Sequence, residues 1–72
     1  MKPVFVFKTS VISNQQVKEL KPKLDMLIQK DERWNFDLMD CDNILRVETT
    51  SCDGTRVMEV LLSAGYDCEE LQ

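Results

Sequence analysis

The sequence predicts an α+β domain in which two helices cover one face of a four-stranded antiparallel sheet, in the order β-α-β-β-α-β. Three observations carry that prediction. A β-branched and aromatic run opens the chain. Two apolar stripes at helical spacing each begin behind a residue suited to capping. Between them, two short alternating runs are joined by a polar turn. The 72 residues suffice for one small domain spanning 1–72. A domain of this size buries only about 60% of its unfolded surface, so its core is thin.

Residues 3–9 (PVFVFKT) read as a strand with both faces partly covered, hence a central one. Ser13 then opens a helix. Its hydroxyl can cap free backbone N–H groups, Gln16 stands where a capping box places it, and Ile12 and Val17 are spaced as a hydrophobic staple. Val17, Leu20, Leu24, Leu27 and Ile28 form the stripe, with Lys18, Lys21, Lys23 and Asp25 on the other side. Pro22 lies away from the stripe, so its kink would face solvent.

Lys30-Asp31-Glu32-Arg33 is a polar connection. Trp34, Phe36 and Leu38 alternate with Asn35, Asp37 and Met39 as a half-buried strand, Asp40-Cys41-Asp42-Asn43 is a turn, and residues 44–49 return with Leu45 and Val47 inward. Asp53 is the expected cap of a second helix with Val57, Val60, Leu61 and Ala64 as its stripe and Gly65 as its terminator. Residues 66–71 are a short strand or extended tail. This element order is the ferredoxin-like plan.

The chain resembles the heavy-metal-associated domain family, the fold of small copper chaperones and of metal-ATPase N-terminal modules. The resemblance rests on Phe7-Lys8-Thr9 before the first loop, Val17, Leu20, Pro22 and Leu24 in the first helix, and Trp34-Asn35-Phe36-Asp37 followed by Ile44-Leu45-Arg46-Val47. It is completed by Ala64-Gly65-Tyr66-Asp67 followed by Glu70-Leu71. It implies a soft-metal site in the first loop, built from two cysteines. Those positions fall here at Ser13 and Gln16, or in another register at Ser10 and Ser13, and neither register supplies a thiolate. Cu(I) selects thiolates, and neutral hydroxyl or amide oxygens are poor substitutes.

The expected function is therefore a non-enzymatic binding or interaction module without the family's metal site and without a cofactor. The alternative is a carrier of Cu(I) or another soft ion through Cys41 and Cys68, possibly shared across a dimer. In this topology the first loop, the 40–43 turn and the 65–67 turn gather at one end of the sheet, with Cys52 at the other. Cys41 and Cys68 would attach on opposite sides of the sheet, too far apart for one ion without movement. Tyr66, Asp40 and Asp42 are the candidate contact residues at that end, with Asp67 and Glu69 nearby, and Tyr66 is expected to pack over the first loop.

The absence of histidine removes the commonest general base and metal ligand. No nucleophile has a base beside it in sequence, so an enzyme is not expected. The net charge of −4 argues against a nucleic-acid partner. No apolar run approaches a membrane span, and Lys8, Thr9 and Ser10 interrupt the N-terminal run, which does not read as a signal peptide. Three cysteines at irregular spacing fit reduced thiols in the cytoplasm. The expected partner is a protein, with a homodimer through an exposed sheet edge as a further expectation.

Overall fold

A computed structural model describes residues 2–39 and 41–71 of the protein. Its elements run β1 (Val4–Thr9), α1 (Asn14–Asp25), β2 (Arg33–Asp37), β3 (Ile44–Glu48), α2 (Gly54–Ser63) and β4 (Cys68–Leu71). The four strands form one antiparallel sheet in the order β2-β3-β1-β4. No helix among the described residues is long and apolar enough to cross a membrane.

Register decides which side chains share a face. Phe7 stands opposite Leu45, Phe5 opposite Val47, Trp34 opposite Val47 and Phe36 opposite Leu45. In antiparallel pairs opposed residues point the same way, so these six line one face. Leu20 and Leu24 of α1 and Val57 and Leu61 of α2 join Phe7, Leu45 and Val47 in a single buried cluster on that face. The opposite face carries Val4, Val6 and Lys8 of β1 beside Arg46 and Glu48 of β3. Val4 and Lys8 are exposed, so the central strand β1 is covered on one face only, unlike the two-sided cover its apolar run suggested.

The first helix stops earlier than its stripe. It ends at Asp25, and the Leu27 N–H donates to the Leu24 carbonyl at 3.0 Å, tightening the chain into a turn. Leu27 and Ile28 still pack against the core from that turn. Pro22 does lie inside the helix, on its exposed side. It has no N–H to offer the Lys18 carbonyl. Replacing Pro22 with Ala restores that donor, while freeing the unfolded chain slightly. The expected net gain is about 2 kcal/mol, read as a higher urea midpoint with an unchanged slope.

The N-terminal cap forms with one shift. The Ser13 hydroxyl accepts from the Gln16 N–H at 3.3 Å, but the Gln16 side-chain oxygen accepts from the N–H of Ile12, at 2.7 Å, rather than from that of Ser13. Ile12 is no staple: it is 69% exposed, and its neighbour Val11 is the buried residue. The second helix follows expectation. The Asp53 side chain accepts from the Arg56 N–H, and Gly65 takes φ +92° behind the last turn. The Tyr66 N–H then reaches the Leu61 carbonyl and the Gly65 N–H the Leu62 carbonyl, a Schellman closure that the left-handed glycine permits.

The hairpin is shorter than its alternation. Arg33 belongs to β2, whereas Leu38 and Met39 lie in the turn, where the Asp37 side chain accepts from the Met39 N–H at 3.2 Å. Thr49 leaves β3 and is fully buried.

Candidate functional site

Backbone hydrogen bonds bring three loops together at one end of the sheet. The Thr9 N–H donates to the carbonyls of Asp42 and Asn43, and the Thr9 hydroxyl donates to the Asn43 carbonyl at 2.7 Å. Asn43 holds φ +51°, a conformation its short polar side chain tolerates. On the other flank the Ser10 N–H donates to the Asp67 carbonyl, and the Ser10 hydroxyl accepts from the Asp67 N–H at 2.9 Å. The first loop is thus tied both to the β2–β3 turn and to the entry of β4.

The polar side chains of Ser10, Ser13 and Gln16 each have a local role there. Ser13 caps α1, Gln16 closes back on Ile12, and Ser10 holds Asp67. Their donor atoms are neutral oxygens, which do not fit a soft cation. Cys41 is exposed in the hairpin turn, whereas Cys68 is buried opposite Thr9 on the edge strand β4. Strand β1 separates β4 from the hairpin that carries Cys41. Burial, with the Glu70 charge adding to it, pushes the Cys68 thiol up to about 11, so at neutral pH it is protonated. Among the described residues no group of three or more His, Cys, Asp or Glu side chains could hold a metal ion.

Tyr66 packs against the core, and its hydroxyl reaches across to Glu19 of α1 at 3.4 Å. It therefore bridges the α2–β4 connection to α1. Asp42 lies 3.7 Å from the Lys8 ammonium. Asp40 falls outside the described residues.

The feature of this end that sequence reasoning missed is a groove of mixed polar and apolar lining. Between the first loop and the hairpin runs an open groove of about 570 Å³, lined by Ile12, Ser13, Phe36, Leu38, Met39 and Arg46 among others. Ile12 is 69% exposed and Met39 is 97% exposed. The stray apolar residues that failed as staple and strand are the available signal: Ile12 and Met39 stand exposed in connections rather than in the core.

A second unforeseen feature occupies the opposite end. Glu32, at 7% exposure, accepts five hydrogen bonds: from the N–H groups of Gln29 and Thr50 and from the hydroxyls of Thr49, Thr50 and Ser51, at 2.6–3.2 Å. Burial works against its ionisation. The donors of Ser51, Gln29, Thr50 and Thr49 outweigh that and hold the carboxyl far below the usual range. Its lysine and arginine neighbours make no ion pair with it among the described residues. Glu32 joins the α1–β2 connection to the β3–α2 loop, a structural clamp that no local motif announces.

Against known proteins, the chain matches no family model, no curated protein and no solved structure.

Proposed function

We propose that this protein is a ferredoxin-like domain, similar to heavy-metal-associated domains, that works as a non-enzymatic protein-interaction module through its first-loop end. The observation that carries this reading is the exposure of Ile12 and Met39 beside the groove, at the end where the resembled family binds its cargo. Exposed apolar side chains around a concavity mark contact surfaces more often than chance exposure does. The element order and the strand order β2-β3-β1-β4 support the ferredoxin-like assignment. The cytoplasm suits its thiols.

The partner fitting this groove is a protein segment with an apolar side chain to seat between Ile12 and Met39. Phe36 and Leu38 would form the floor and Arg46 would offer hydrogen bonds at the rim. Retention of a partner by the wild type, its loss with Ile12→Glu and Met39→Glu, and its persistence with Lys23→Glu on the exposed side of α1 is the expected pattern. Equal loss with all three, or with none, refutes the groove as the contact.

A Cu(I) titration of the reduced protein against a competing chelator separates this reading from carriage of a soft metal. Binding no tighter than that of free thiols is expected. Tight one-to-one binding abolished by Cys41→Ser and Cys68→Ser would replace the interaction module with a thiol-based carrier.

A further inference from the structure

Both outer strands of the sheet are open to pairing, and their sequences treat a second copy of the chain in opposite ways. β4 carries Cys68-Glu69-Glu70-Leu71. Antiparallel self-pairing about either central residue of this strand, Glu69 or Glu70, sets a glutamate opposite its own copy, which is unfavourable. β2 carries Arg33-Trp34-Asn35-Phe36-Asp37. Paired antiparallel with itself about Asn35, it sets Arg33 opposite Asp37 of the second copy, Trp34 opposite Phe36, and Asn35 opposite Asn35. Shifting by two residues either way loses both charge pairs, and shifting by four sets Arg33 against Arg33 or Asp37 against Asp37.

The backbone agrees with that register. The Thr49 N–H donates to the Pro3 carbonyl and the Thr9 N–H to that of Asn43, so the odd-numbered residues of β3 bond to β1. Alternation then turns Ile44, Arg46 and Glu48 toward β2, where they meet Asp37, Asn35 and Arg33. The amides and carbonyls of Trp34 and Phe36 are left on the outer edge. A register centred on Asn35 joins Trp34 to Phe36 of the second copy twice, satisfying these groups in both chains. The rings of Trp34 and Phe36, 5.9 Å apart edge to face and only partly buried, would gain cover from their counterparts. Arg33 is 82% exposed and pairs with Glu48 at 3.4 Å, and Asp37 lies 3.9 Å from Arg46; these are surface ion pairs of small worth, which the charges of a second copy would share or replace.

We propose that the β2 edge is a self-association surface, on which a second copy of this chain extends the sheet about a two-fold axis at Asn35. A five-residue edge covers little area, so the dimer is weak and concentration-dependent.

Sedimentation velocity over a wide concentration range tests this with wild type, Arg33→Asp, Asp37→Arg and an equimolar mixture of the two variants. The wild type is expected to show a monomer–dimer equilibrium. Each single variant should weaken it roughly tenfold or more, because two attractive contacts become repulsive. The mixture should dimerise again, since one chain then offers two carboxylates and the other two guanidinium groups. A wild type that stays monomeric, or dimers equally strong in both single variants, would overturn the proposal. Asn35→Cys in a Cys41→Ser background needs no charge change. Its paired Cα atoms would lie about 4.5 Å apart, close enough for an intersubunit disulfide on oxidation. Failure of that folded variant to cross-link also rejects the register. The readout is self-association, so a negative result leaves the groove and its partner segment untouched.

Discussion

Glu32→Gln is expected to lower the urea midpoint at neutral pH more than any other single polar substitution in this domain. Five donors converge on the Glu32 carboxylate. A glutamine offers them one oxygen and sets an NH₂ group against donors that then have no acceptor. The clamp joins two loops far apart in sequence, so its loss frees both the start of β2 and the approach to α2.

The pH dependence has a definite sign. The folded-state carboxyl of Glu32 is depressed below its ordinary value of 4.5. Its contribution is therefore fully present above that value and is lost as pH falls below it, toward the lower folded-state value. Wild-type stability should decline through this acidic window, and the gap between wild type and Glu32→Gln should close. Asp25, held down by Lys21 and Trp34, and Asp31, held down by Lys2, shift in the same direction but are exposed. Salt screens those two surface interactions more than the enclosed clamp, so the acid decline attributable to Glu32 should survive high ionic strength. A gap of constant size from neutral to strongly acidic pH would show that Glu32 acts otherwise than as a hydrogen-bonded carboxylate.

Phe7→Ala should remove a large share of the domain's stability, read as a sharply lower urea midpoint. Phe7 is fully buried in the central strand and is the largest member of the core cluster. Truncating a buried phenylalanine costs about 3–5 kcal/mol. A chain of this length has on the order of 4–11 kcal/mol in total. At the lower end of that range, the cavity alone removes the whole margin. Phe5→Ala, at a partly buried position on the same face, should cost distinctly less. Circular dichroism and urea titration of the two variants provide the comparison, and equal midpoints would contradict the placement of the core around Phe7.

Signals confined to a few neighbouring residues were legible in the chain. Ser13, Asp53 and Gly65 act where capping chemistry puts them, because each satisfies backbone groups within one turn of itself. The inward faces of β2 and β3 were legible for the same reason, since alternation is a property of consecutive residues. Element ends were less so. Leu27 and Ile28 keep the helical spacing but pack from a turn, and Leu38 and Met39 continue an alternation past the end of their strand. Periodicity records which residues are apolar and leaves open where hydrogen bonding stops.

At the candidate site, the sequence by itself determined the donor chemistry. With no cysteine between Thr9 and Val17 and no histidine anywhere in the chain, no arrangement of it could create a thiolate pair in the first loop. Tertiary structure alone decided what that end offers instead. Ile12 and Met39 are 27 residues apart in sequence and line one groove only because the first loop and the hairpin turn share one end of the sheet. Glu32 and its threonine and serine partners are separated by 17–19 residues and meet only through the β2–β3 pairing. Side-chain type travels with the sequence, but the desolvation and hydrogen bonding that set the state of a carboxylate such as Glu32 depend on neighbours that only folding brings near.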